Sequence, residues 1–450
     1  MQKILFLVIC SLVSFTFAQQ INIRVNNFVG EKAVLASLEG EKLSSIDTIS
    51  LSDEGKFEFD FNDIKNYRGF YRLSVDNKNW INFIFDNENV EIETDVNNIF
   101  DSLKVIKSES NKIYYSFVRL NKNYKTKTEL LQLILSRYPK NDDYYTLTKE
   151  KLLQVQKEYL QFINVTSQTN PNSFIAKYIR SAQLPVADTN IPFEEQLTFL
   201  KTHALDNVNF YDEELIYSDV FTNKTIEYLT YYRNDQLPLE LLEKEFIIAV
   251  DTILTKAKVN LTVYKYIVEY LISGFKKYGF DNVIDYIVEN YVIEDDLCLD
   301  AKIESSIDRR ITQARNFKDG NTVPNIISND PNGKKIELNK INSEHILIVF
   351  YASWCPHCRI ILSQISQLYK NQKKSNTEVF AVSIDTLKSD WLNYIETNNL
   401  NWINVSDLNG GNGKAVTDYY IYATPTMFLI DKQLILIAKP SSIDELSNWF

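Results

Sequence analysis

Phe350-Tyr351-Ala352-Ser353-Trp354-Cys355-Pro356-His357-Cys358 decides how the C-terminal part of this chain is read. The run Ile346 to Phe350 is continuously apolar, as a strand buried on both faces requires. After Cys355, residues Ile361, Ile365, Leu368 and Tyr369 recur at helical spacing and share one face. The two cysteines therefore fall at a strand-to-helix junction. The first meets the helix N-terminus, where unpaired backbone N–H groups and the helix dipole favour a thiolate; the second lies one turn later and can close a disulfide. The spacing predicts Cys355 as an exposed nucleophile and Cys358 as the buried resolving thiol that displaces a substrate from a mixed disulfide. Pro356 in the first turn costs no hydrogen bond and stiffens the loop.

Downstream, Val379 to Ile384 reads as a second buried strand, Trp391, Tyr394 and Ile395 open another helix, and Met427 to Ile430 with Leu434 to Ile437 read as a closing hairpin. Strand, helix, strand, helix, hairpin is an order that buries a mixed sheet between helices. Gly410-Gly411-Asn412-Gly413 reads as a flexible loop and is not a phosphate cradle, so no nucleotide cofactor is expected.

Upstream, Lys318-Asp319-Gly320-Asn321 reads as a linker. The segment before it, 106–318, follows the helical period: Leu242, Phe246, Val250 and Ile253 form one stripe, and Val263, Ile267 and Leu271 another. An all-α module of eight to ten helices is expected. Its tyrosines Tyr264, Tyr266 and Tyr270 read as amphipathic core residues in preference to a binding groove. Residues 19–105 alternate with period two (Ile21, Ile23, Val25; Phe57, Phe59, Phe61; Val90, Ile92), broken at Asp53-Glu54-Gly55 and Asp76-Asn77. They predict an antiparallel β-sandwich-like domain or small barrel. The fold class is thus multidomain α+β: a β-rich domain, a helical domain and a C-terminal α/β domain at 319–450.

A chain of 450 residues fits two or three domains, and its net charge of -11 carries no basic block suited to nucleic acid. Residues 1–18 read as a signal peptide, with Lys3 ahead of an apolar run and Thr16-Phe17-Ala18 before the cleavage point, which implies export to a periplasm-type compartment. Cys10 falls in that apolar run. The remaining cysteines, Cys298, Cys355 and Cys358, are too few for a disulfide framework. Cys298 is expected as a small buried hydrophobe in a helical region. His203 and His345 lack partners at ligand spacing, and two cysteines alone make an incomplete metal site; no metal and no cofactor are expected.

The nonapeptide 350–358 resembles the active-site segment of thioredoxin-like proteins. Ala423-Thr424-Pro425-Thr426-Met427-Phe428-Leu429-Ile430-Asp431 is similar to the family's cis-proline loop, which implies that Thr424 and Pro425 face the cysteines and pair with substrate backbone. Gly320 to Pro324, Asn332-Gly333-Lys334 and Leu338 resemble the N-terminal hairpin of the TlpA/ResA branch of exported oxidoreductases. The β-rich and helical regions resemble accessory domains that precede such modules. The resemblance implies dithiol-disulfide exchange with protein thiols or disulfides, or with a membrane-held electron donor, and neither nucleic acid nor nucleotide as partner. Trp354, Pro356 and His357 are its tuning positions. Placed between the cysteines, the imidazole of His357 can donate to the thiolate and stabilise the reduced state. The same CPHC tetrapeptide occurs in DsbA, and the span from thioredoxin to that oxidant is ~150 mV, or roughly 7 kcal/mol. Two departures stand out. The buried carboxylate that many thioredoxins place six residues before the first cysteine is Val349 here, and the glutamate of ResA-type proteins beyond the second cysteine is Ile361. Proton transfer is then left to water or to His357.

Two other readings compete. The β-rich and helical regions make up most of the chain, so an envelope ligand or partner protein is an alternative primary target, with the redox site only regulating that contact. A peroxidase ranks lower, because Tyr351 to Trp354 stand where the proline and threonine preceding a peroxidatic cysteine belong.

Overall fold

The computed structural model describes residues 19–60, 68–189, 191–299, 305–371, 376–447 and 449–450. The expected signal peptide, Cys10 with it, lies outside them. The chain divides into two compact units, one ending at Tyr278 and one spanning Gly279–Phe450.

In the first unit, β1 (Gln20–Asn26), β2 (Lys32–Glu39), β3 (Lys42–Ser50), β4 (Lys56–Asp60), β5 (Gly69–Ser74), β6 (Trp80–Phe85), β7 (Val90–Asp95) and β8 (Lys104–Lys107) form two four-stranded sheets, ordered β4-β1-β7-β8 and β3-β2-β5-β6. Alternation places Ile21 and Ile23 of one sheet and Leu35, Leu73 and Phe83 of the other in a single buried cluster. The expectation of a purely antiparallel arrangement is corrected, because β1 pairs with β7 in parallel, Ile21 opposite Val90 and Ile23 opposite Ile92. Period-two alternation marks a strand but carries no information on partner direction.

Helices follow: α1 (Glu109–Arg137), α2 (Asp143–Thr169), α3 (Phe174–Ala182), α4 (Phe193–His203), α5 (Val220–Thr230), α6 (Leu239–Ala257) and α7 (Leu261–Tyr278). The first starts where the Glu88 carboxylate accepts from Ser108 Oγ and from the backbone N–H groups of Glu109 and Ser110, an acid at the positive end of a helix. The stripes Phe246, Val250, Ile253 and Val263, Ile267, Leu271 are buried, as is Tyr264. Tyr266 and Tyr270 are half-buried.

The second unit opens with α8 (Asp281–Ile287), a π-helical turn (Val288–Ile293) and α9 (Ser305–Asn316). Then come β9 (Ile327–Asn329), β10 (Lys335–Glu337), β11 (His345–Tyr351), α10 (Pro356–Asn371), β12 (Thr377–Ser383), α11 (Lys388–Asn398), β13 (Ile403–Ser406), α12 (Lys414–Asp418), β14 (Thr426–Asp431), β15 (Leu436–Ala438) and α13 (Ile443–Leu446). The seven strands make one mixed sheet, β10-β9-β13-β12-β11-β14-β15, with β11 parallel to β12 and antiparallel to β14. Strand β11 is buried on both faces. Ile346, Ile348 and Phe350 enter one cluster with Phe317 and Tyr419; Leu347, Val349 and Tyr351 enter the other with Cys355, Cys358 and Trp391.

The compact division falls at 278/279; within the second unit, Phe317 is buried in the sheet's own cluster and α9 bonds to the segment before β14. Two further expectations are corrected here. The supposed linker is pinned along β15: Gly320 donates to Leu436 O and Val323 to Leu434 O, each at 2.8 Å, with Gly320 turning at φ +85°. The glycine run 410–413 is an ordered 3-10 turn leading into α12, with the Asp407 carboxylate accepting from Asn409 N and Lys414 N; a Cβ on Gly413 would meet that carboxylate at 2.7 Å.

Candidate active site

The β11–β14 register brings the two sequence motifs together. Phe350 pairs with Thr426, so the chain entering β14 from Pro425 runs beside the chain leaving β11 toward Cys355. The Thr424–Pro425 peptide is cis. The Thr424 carbonyl lies 3.3 Å from Cys355 Sγ. Helix α10 begins at Pro356, so the Cys355 sulfur takes the position of an N-cap side chain, and the Cys358 N–H donates to it at 3.1 Å. Both cysteines are free thiols.

Burial separates expectation from observation. Cys358 is fully buried, as expected, whereas Cys355 is only 4% exposed and not an open nucleophile. Its sulfur is turned inward by the Thr424 carbonyl and the Cys358 amide, while Trp354, 65% exposed, and His357 form the outer surface. Burial first, and then the hydrogen bond with the Cys355 sulfur, push the Cys358 thiol up to about 12. Val349 is buried and Ile361 partly so, which leaves this floor apolar.

A carboxylate missed in the sequence lies next to the dithiol loop. Asp385, just beyond β12 and 2% exposed, accepts from Ser353 N at 3.1 Å, Ser353 Oγ at 2.7 Å and Ser383 Oγ at 2.7 Å. Ser353 stands two residues before Cys355, so Asp385 anchors the loop. The only sequence signal was an acid directly after an apolar run, Ser383-Ile384-Asp385. Within the same cluster as Cys358, Trp391 Nε1 donates to Tyr351 Oη at 3.0 Å, and Tyr351 Oη donates to Asn404 Oδ1 at 3.4 Å. Burial raises the Tyr351 phenol far above its ordinary range. Beside the loop, Ser353, Trp354, Arg359, Asp390, Asn393 and Tyr394 line an open polar cleft of about 480 Å³.

Cys298 corrects another expectation: it is exposed, in irregular chain after the π-helical turn. His203 pairs with Asp206, and the His345 ring packs on Trp449.

Residues 320–439 match the AhpC/TSA family. The thiol-disulfide oxidoreductase ResA of Bacillus thuringiensis subsp. konkukian is 27% identical over 121 residues, 27% of this chain and 68% of the relative. ResA of Bacillus subtilis is 28% identical over 118 residues, 26% of this chain and 64% of the relative. The C-terminal part of the chain is therefore similar to thioredoxin-like proteins of ResA type. This chain covers about two thirds of the length of these relatives, and the family match at 320–439 lies within the second unit. Among solved structures, a thioredoxin-like protein from Bacteroides caccae covers 59% of this chain and 96% of its own, with 21% identity and a TM-score of 0.37. The similarity of this region to the ResA proteins supports thiol-disulfide oxidoreductase activity.

Proposed function

We propose that this protein is a periplasmic thiol-disulfide oxidoreductase that exchanges disulfides with exported proteins or a membrane-held redox partner through Cys355 and Cys358. One observation carries the proposal: the Cys358 amide and the Thr424 carbonyl meet at the Cys355 sulfur, so nucleophile, resolving residue and substrate-pairing loop occupy one place. In the reducing direction, the Cys355 thiolate attacks one sulfur of a substrate disulfide and releases the other as a thiolate, which takes up a proton. Cys358 then loses its proton and attacks Cys355 Sγ, forming the internal disulfide and releasing the second substrate thiol. The oxidising direction is the reverse. Thr424 and Pro425 hold substrate backbone, and Trp354, Pro356 and His357 set the potential.

Residues 1–18 direct export, and no helix among the described residues is long and apolar enough to cross a membrane. The β-sandwich-like accessory domain at 19–105 and the helical domain that follows recognise the partner. Insulin disulfide reduction and a redox titration of the full chain test the chemistry. A two-electron couple abolished by Cys355→Ser is the expected result; activity unaffected by that substitution overturns it. Cys358→Ala traps mixed disulfides and identifies the substrate.

A further inference from the structure

The loop that touches the nucleophile is held from behind by a helix outside the matched family region. Tyr422 stands two residues before Thr424, whose carbonyl contacts Cys355 Sγ. Three consecutive carbonyls ahead of Tyr422 accept from α9: Gln313 Nε2 donates to Tyr419 O at 2.9 Å and Tyr420 O at 3.3 Å, and Arg309 donates to Ile421 O at 3.2 Å. The Arg310 guanidinium, 6% exposed, lies over the Tyr422 ring at 4.3 Å and pairs with Asp281 at 2.7 Å and Asp285 at 3.0 Å. Tyr422 Oη donates to the same Asp285 oxygen at 2.8 Å. Phe317 completes the contact, its ring tilted against those of Tyr419 and Phe428.

This is an expensive way to attach a helix. Burying a guanidinium, with its Nε left unpaired, costs more than an apolar side chain of similar volume would. What it supplies is geometry. A planar fork, stacked on one face and bridged at its edge, fixes the orientation of Tyr422, and three carbonyl bonds fix the height of the backbone.

We propose that Arg310 and Gln313 are positioning residues for disulfide exchange: acting through residues 419–422, they set the Thr424–Pro425 loop against the Cys355 sulfur. The redox machinery thus begins at α8 and α9. This rests on the dithiol reading given under Proposed function. Loop position governs how substrate backbone pairs beside the sulfur, so its loss falls on substrate binding before turnover.

Full-length Gln313→Leu, Arg310→Met and the milder Tyr422→Phe, which keeps the ring and loses only the bond to Asp285, are compared with wild type in insulin reduction below every variant's unfolding temperature. The expected result is a KM raised about 3- to 10-fold for the first two and less for Tyr422→Phe, with kcat within about threefold. Arg310→Lys keeps the charge without the fork and is expected to leave KM raised. A fall in kcat at unchanged KM, as from a smaller folded fraction, overturns the proposal, as does restoration of KM by lysine. If Arg310→Met does not fold, Tyr422→Phe and Gln313→Leu decide. A wild-type chain without a dithiol couple defeats the functional reading itself; a wild-type couple with unaltered variant KM defeats only the positioning role.

Discussion

Ser353 donates both its backbone N–H and its hydroxyl to the buried carboxylate of Asp385, across 32 residues of sequence. The bond ties the loop leaving β11 to the chain leaving β12, so the Cys355 sulfur is located by a group just beyond the neighbouring strand. Asp385→Ala leaves an amide and two hydroxyls without their acceptor, at about 1–3 kcal/mol for each buried group left unpaired. Because small displacements of a reacting atom cost up to ~100-fold, kcat/KM is expected to fall about 10- to 100-fold, with Asp385→Asn intermediate. Insulin reduction and thermal unfolding measure the two effects. Activity of Asp385→Ala within about twofold of wild type would remove the anchor role.

The raised Cys358 thiol has two consequences. At pH 7 to 9, a thiol pushed up to about 12 stays protonated, so alkylation of the reduced protein spares Cys358 while it marks the exposed Cys298, as mass spectrometry of the labelled peptides will report. The second concerns stability. The folded value lies above the ordinary 9.0, so the folded state holds the proton after the unfolded state has lost it. This contribution is complete below pH 9 and is lost as pH rises from 9 toward 12. The reduced wild type is therefore expected to lose more stability across that window than Cys358→Ala; equal slopes would contradict the assignment.

His357 is exposed in the first turn of α10, between the two cysteines. Because this position is proposed to stabilise the reduced dithiol, His357→Ala is expected to make the potential more negative, by about 30 mV for each 1.4 kcal/mol lost. Equilibration with glutathione buffers measures it. A potential within about 10 mV of wild type would exclude His357 from tuning.

How much of this was legible depended on how local each signal was. The strand, helix and dithiol around Cys355 were readable because periodicity and a helix N-terminus are properties of adjacent residues. Asp385 was not, since its partner lies 32 residues away and only the β11–β12 pairing joins them. Residues 305–316 fall within the stretch of helical period, but an amphipathic pattern states that one face is buried and not against what; the contact of Gln313 with the segment before β14 is not local. Gly320 was misread for the same kind of reason, because a glycine at positive φ looks alike in a free linker and in a turn held to β15. The exposure of Cys355 was misjudged because the group that turns it inward, Thr424 O, arrives from β14's approach.

Tyr351 sits directly before the dithiol loop, and its hydroxyl invites the idea that it relays the Cys358 proton, since neither Val349 nor Ile361 can. Its surroundings argue otherwise. Burial holds the phenol protonated far beyond neutral pH, so it cannot act as a base there, and its hydroxyl is already engaged by Trp391 and Asn404. Tyr351→Phe should therefore cost stability, about 1–3 kcal/mol for the indole N–H left without an acceptor, while the rate at which Cys358 resolves a mixed disulfide stays within about threefold of wild type. Stopped-flow resolution of a preformed mixed disulfide, read beside a denaturant melt, separates the two. A resolution rate lowered about 10-fold or more at full native population would assign the proton to Tyr351 after all.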